Sequence, residues 1–127
     1  MKRMKKEFTL KKRARSFRFA FNGMIYLLKH EPNAWIHLII TIMVIVFGIL
    51  LKLNLTEWSL VVLATGLVLM AEAMNSAIEK TGNKISPEKN DWAGRIKDLS
   101  AGAVLLAAIA AATVGLIIFI PKLIAYL

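Results

Sequence analysis

The chain has 127 residues, 57% of them apolar, no cysteine, and 17 Lys or Arg against 8 acidic residues, for a formal net charge of +9. That length holds one domain, residues 1–127, and the lack of cysteine excludes a disulfide framework or a thiolate metal site. No nucleic-acid-binding motif appears, and the apolar runs leave no room for a soluble domain of that kind, so the basic excess points to a membrane surface.

The first element in chain order is a basic, aromatic-rich amphipathic helix over about residues 5–30. Phe8, Leu10, Phe17, Phe19, Phe21, Met24 and Leu27 interleave with Lys11, Lys12, Arg13, Arg15 and Arg18, as in helices that lie on anionic lipid headgroups. Gly23 is expected to interrupt this helix. Pro32, in Glu31-Pro32-Asn33, marks the corner where the chain enters the membrane. Three stretches then reach the about 17–25 residues that a spanning helix needs: 34–51, 58–78 and 99–120. No short apolar core with a small-residue cleavage site precedes them, so a cleaved leader is not expected.

Charge orients these spans. Ten Lys or Arg precede the first span, and Lys80, Lys84, Lys89, Arg95 and Lys97 lie at or between the second and third. Lys52 and Lys122 alone mark the opposite side. The positive-inside rule therefore predicts a cytoplasmic N-terminus and 80–97 loop, with the 52–57 turn and the C-terminus facing outward.

The most informative segment ends the second span, Glu72-Ala73-Met74-Asn75-Ser76-Ala77-Ile78-Glu79. Glu72, Asn75, Ser76 and Glu79 fall on one stripe of a helix. An acidic side chain inside a bilayer costs about 2.5–3.5 kcal/mol on insertion scales, so it is a functional hypothesis by default. Glu31 and His37 open the first span at the same depth, and Lys97 and Asp98 open the third. Carboxylates grouped at a basic surface suit a divalent cation and a polyphosphate, because hard cations take carboxylate oxygens and keep nucleotide phosphates as further ligands. Glu72 lies roughly 10 Å deeper than Glu79 at about 1.5 Å per residue. A carboxylate without its hydration is a better proton acceptor, placed to serve an alcohol that is itself embedded in lipid. No G-x-x-x-x-G-K-[ST], G-x-G-x-x-G or H-E-x-x-H is present, which excludes a soluble-kinase scaffold.

These residues resemble a known family, the small integral-membrane prokaryotic lipid kinases that phosphorylate diacylglycerol or undecaprenol. The resemblance runs from about Phe17 to Leu123. It rests on Glu31-Pro32-Asn33 with His37, on the E-x-x-N-[ST]-A-I-E signature at 72–79, on Lys97-Asp98-Leu99-Ser100-Ala101-Gly102-Ala103-Val104, and on Ile120-Pro121-Lys122-Leu123. It implies an all-α fold, a surface helix plus three transmembrane helices, assembled as a homotrimer with shared sites in the bacterial inner membrane. It also implies ATP as phosphate donor with magnesium. Glu72 falls where the family places its general base, and Glu31 and Glu79 where it places metal ligands. Lys12, Arg15, Phe19, Glu31, Asn75, Glu79, Glu88, Asn90, Lys97 and Asp98 match nucleotide-handling positions. Glu72 and Ala101 match positions beside the lipid.

Three departures stand out. Gly82-Asn83 replaces the family's usual Val-Asp, and Glu88-Lys89-Asn90 replaces Glu-Tyr-His. His37 stands where enteric diacylglycerol kinases have glutamate, as in the undecaprenol-kinase branch, which favours undecaprenol over diacylglycerol as substrate. The competing class is a small proton-coupled exporter. That predicts an isolated acid at mid-membrane and usually four spans, whereas here three spans carry acids grouped at one side.

Overall fold

The computed structural model describes residues 10–127, which form four helices: α1, Leu10–His30; α2, Pro32–Leu50; α3, Leu55–Ile85; and α4, Asp91–Tyr126. The expected start of the first helix, near residue 5, lies outside the described residues. No residue of α1 is buried. Its second half runs beside α3, with a shallow groove between them lined by Ala20, Gly23 and Leu27 on one side and Ala73, Ala77 and Lys80 on the other.

Gly23 does not interrupt α1, contrary to expectation. A mid-helix glycine costs only about 0.5–1 kcal/mol relative to alanine, which weakens a helix without breaking it. The corner at Pro32 is as expected. Glu31 is extended (φ −116°, ψ 107°) and forms the N-cap of α2, with Pro32 in its first turn. Proline excludes the helical region for the residue before it and is well tolerated where the helix begins.

Helices α2, α3 and α4 are each long and apolar enough to cross a membrane. They contain nearly all of the stretches 34–51, 58–78 and 99–120 but extend beyond most of their limits. Hydropathy marks the hydrocarbon, whereas the helices end at their caps. Asn54 accepts from the Glu57 N–H at 2.8 Å while the Glu57 carboxylate accepts from the Asn54 N–H at 3.0 Å, a reciprocal capping box that starts α3. Asn90 starts α4 by accepting from the Ala93 N–H at 2.9 Å. The 31 residues of α3 and 36 of α4 reach about 46 and 54 Å, against a hydrocarbon core of about 30 Å. Both are therefore longer than the hydrocarbon core alone requires. Pro121 lies inside α4 near its end, where one missing hydrogen bond leaves the helix unbroken to Tyr126.

The α3–α4 pair is an antiparallel hairpin. Its seam recurs every seventh residue, through Val61, Val68 and Asn75 on one helix and Ala93, Ser100, Ala107 and Val114 on the other. That period keeps one stripe facing the partner, and the small residues let the backbones approach closely. At the Lys52 end, Leu53, Val61 and Ile118 form a core with Val44, Trp58, Val114 and Phe119 around it. An apolar cavity of about 260 Å³ lies between α2, α3 and α4, with Val44, Val68, Ala111 and Phe119 among its walls and His37 also lining it. Only 11%, 22% and 11% of the most apolar windows of the three spans are buried. The rest of their apolar surface must meet hydrocarbon or neighbouring protein.

Candidate functional site

The sequence places Glu72, Asn75, Ser76 and Glu79 on one stripe, and the fold divides that stripe between two neighbours. Glu72 and Ser76, one turn apart, are both buried against α2 and its N-cap. The Glu72 side chain is 4% exposed, and its Oε1 lies 3.0 Å from His37 Nε2 on α2. As a carboxylate Glu72 can only accept, so the shared proton belongs to His37 Nε2. Ser76 Oγ donates to Glu31 Oε1 at 2.8 Å. Lys80 Nζ lies 3.9 Å from the same oxygen and 5.1 Å from the centre of the Tyr26 ring, which stacks on His30. One turn of α3 thus ties together the end of α1 and the start of α2.

Asn75 turns the other way. Its Oδ1 accepts from Ser100 Oγ at 2.6 Å, across the α3–α4 seam. Beyond it, Lys97 Nζ donates to Asn83 Oδ1, so Asn83, in one of the departures from the family pattern, meets a residue of the family motif. Glu79 is half-buried on the turn between Ser76 and Gly82.

Four of the sequence-predicted nucleotide positions converge. Glu88, Asn90, Lys97 and Asp98 line one polar groove of about 620 Å³ formed by the 86–91 loop and the first turns of α4. Asn90 is also structural: besides capping α4, it donates to Ser86 Oγ, while Ser86 Oγ donates to the Glu88 carbonyl at 2.9 Å. Lys12, Arg15 and Phe19 sit on the exposed first half of α1, ahead of the stretch that runs beside α3. Ala101 is exposed on α4, next to the buried Ser100.

Among the described residues, no three His, Asp or Glu side chains converge as a metal site made by protein alone. Magnesium does not require one. It commonly uses one or two carboxylates and completes its shell with waters and substrate phosphates. Glu31, with one oxygen beside Ser76 and Lys80, and Glu79 on the adjoining turn supply hard oxygen donors of that kind. The donor set fits such a partial site.

Residues 18–119 match the prokaryotic diacylglycerol kinase family. The chain belongs to that family. Among its curated relatives is an undecaprenol kinase of Bacillus subtilis, 34% identical over 109 residues that cover 86% of this chain and 89% of the relative. Another is a diacylglycerol kinase of Synechocystis sp., 36% identical over 109 residues that cover 85% of this chain and 62% of the relative. Family membership makes the chain a lipid kinase, and with its three apolar helices it is a multi-pass membrane protein.

Sequence reasoning missed the partnerships rather than the residues. His37 reads as an interfacial histidine, and nothing in the sequence pairs it with Glu72. The Ser100–Asn75 bond leaves one signal, because the two fall on the seventh-residue seam of their helices. Lys80 and Asn83 carry none.

Proposed function

We propose that this chain transfers the γ-phosphoryl group of ATP to undecaprenol at the cytoplasmic face of the bacterial inner membrane, as a homotrimer whose surface helix rests on anionic lipid. The observation that carries the reading is Glu72, a buried carboxylate on an apolar helix, one turn from Ser76 and the Glu31 carboxylate. In this scheme Glu72 takes the proton of the lipid hydroxyl while the hydroxyl oxygen forms a bond to the γ-phosphorus, and the bond from that phosphorus to the β-phosphate oxygen breaks to release ADP. Glu31 and Glu79 would hold magnesium with the nucleotide, and the ion would supply charge neutralisation to the phosphoryl group. Lys97 and Asp98, with Glu88 and Asn90 across the loop groove, hold the rest of the nucleotide, and Lys12, Arg15 and Phe19 reach it from the surface helix. Asn75 steadies the seam beside the phosphates, and Ala101 flanks the lipid.

The thinly covered bundle supports the oligomer. One protomer buries little of its span surface and offers too little wall to enclose both a lipid and a nucleotide. Histidine at position 37, where the resemblance sets the undecaprenol-kinase branch apart, supports undecaprenol. The deciding experiment is the ratio of kcat/KM for undecaprenol and diacylglycerol, measured with purified protein under identical surface dilution. Preference for undecaprenol is expected. Preference for diacylglycerol overturns the lipid and leaves the kinase standing.

A further inference from the structure

We infer that His37 is the positioning residue for Glu72: it donates to one carboxylate oxygen, fixes the side chain, and leaves the second oxygen for the lipid hydroxyl. The inference rests on Glu72 being the base in the reading above. Four observations carry it. The two residues are 35 positions apart on different helices and meet at 3.0 Å, side chain to side chain. Among the described residues, His37 is the hydrogen-bond and ion-pair partner of Glu72. The Glu72 side chain is 4% exposed and that of His37 21%, so the carboxylate is the more deeply buried of the two. The surroundings are apolar: a cavity between the spans is lined by His37 with Ile40, Val44 and Val68, and the Thr41 hydroxyl beside it is spent on the His37 carbonyl at 2.7 Å.

Chemistry gives the pair its purpose. A carboxylate loses catalytic value if it rotates among several orientations, or if it sits unpartnered in an apolar setting and holds a proton instead of charge. A donor held against the charged form counters both. Bases of this kind are commonly oriented by a third group that does not touch the substrate. The other ionisable groups nearby cannot substitute. Glu31 is held by Ser76, one turn along, and by Lys80, two turns along, and the part of α4 that lines the cavity offers Ala108, Ala111 and Ala112. Orientation is a rate effect with a distinct signature. It lowers kcat toward the lipid, leaves nucleotide affinity alone, and is restored by any side chain that presents an N–H at the same reach.

The test compares H37A, H37Q, E72Q and H37A/E72Q, purified in mixed micelles with undecaprenol and magnesium-ATP. Thermal midpoint and particle size are recorded for each. H37A is expected to lower kcat by about tenfold to a hundredfold, the range of one hydrogen bond to a charged group, with KM for ATP within about twofold. H37Q, whose amide can donate to the same oxygen, is expected to recover kcat to within about threefold of the parent. In the double variant, loss of His37 adds nothing to the loss from E72Q, because the residue acts only through that carboxylate. Unchanged kcat in H37A overturns the inference. So does a folded H37Q no more active than H37A, or one whose loss appears in KM for ATP. Should H37A fail to assemble, H37Q decides: activity near the parent supports the role, and a loss beyond about tenfold refutes it. An active E72Q removes the base assignment itself, an outcome separate from any result at His37.

Discussion

Ser76 Oγ donates to Glu31 Oε1 at 2.8 Å, joining the N-cap of α2 to the middle of α3 across 45 positions of sequence. One Glu31 oxygen is thereby fixed and the other left to a ligand, and Lys80 at 3.9 Å offsets part of the charge. Glu31 owes its place to backbone chemistry. Pro32 forces the preceding residue into an extended conformation, which turns the Glu31 side chain away from the α1 register and toward α3.

Removing the charge of Glu31 or Glu79 is expected to weaken nucleotide-metal binding without unfolding the bundle. E31Q and E79Q keep the volume of the side chain, and an amide oxygen is a poorer ligand for a hard cation than a carboxylate. The magnesium concentration for half-maximal activity is expected to rise by about tenfold or more in each, in line with the loss of one charged ligand. S76A, which frees the Glu31 carboxylate without neutralising it, is expected to raise it less. A magnesium titration of initial rates reads all three. Unchanged dependence in E79Q refutes the assignment of that residue.

The seam between α3 and α4 makes a prediction about stability. Asn75 Oδ1 accepts from Ser100 Oγ at 2.6 Å, within a stripe otherwise made of Val and Ala. S100A leaves the amide oxygen facing an apolar seam, where an unsatisfied polar atom costs about 1–3 kcal/mol. A lowered thermal midpoint in detergent is expected. The double variant N75L/S100A, apolar on both sides, is expected to recover most of the loss. No recovery would show that the bond matters for something other than its own satisfaction.

The difference between what the sequence disclosed and what it did not follows from how each piece is encoded. The three spans were legible because apolar length is a local property, and the corner at Pro32 because proline restricts its neighbour. Helix ends were less legible, since the caps Asn54 and Asn90 start α3 at Leu55 and α4 at Asp91, ahead of their apolar stretches, and α3 runs on through polar residues to Ile85. Gly23 misled because glycine weakens a helix without ending it. The stripe from Glu72 to Glu79 was visible, but its division was not. Spacing fixes which side chains share a face, whereas the neighbour each one meets depends on how α2 and α4 are rotated. Small buried residues, Ala34 on α2 and Ala93 and Ala107 on α4, let such helices approach closely.

Glycine substitutions separate packing from helix propensity. A Cβ added at Gly48 would lie 2.6 Å from Trp58 Cη2 and 3.0 Å from Leu53 Cδ1, whereas one at Gly23 would meet nothing within 4 Å. G48A is therefore expected to destabilise by about 1–3 kcal/mol, as overpacking does. G23A is expected to stabilise α1 by about 0.5–1 kcal/mol, the propensity difference between the two residues. Denaturation midpoints of the two variants should move in opposite directions. A tolerated G48A would mean that Trp58 can swing out of the α2–α3 turn.

Topology is the last prediction, and the caps decide how it should be tested. The chain has no cysteine, so single cysteines report cleanly. Asn54 and Asn90 stand in the two loops but are poor sites, because each caps a helix and a cap residue is worth about 1 kcal/mol. Thr56 and Lys89 are exposed neighbours whose side chains hold no cap. In intact cells, T56C is expected to react with a membrane-impermeant maleimide. K89C is expected to react only after the membrane is opened. The physical reason is the excess of Lys and Arg on the N-terminal segment and the 80–97 loop, which resists translocation. A lipid kinase that draws on cytoplasmic ATP needs its polar groove and the Glu31–Ser76 turn on that same side. Labelling of K89C from outside would therefore overturn the orientation and leave the proposed site without access to its nucleotide.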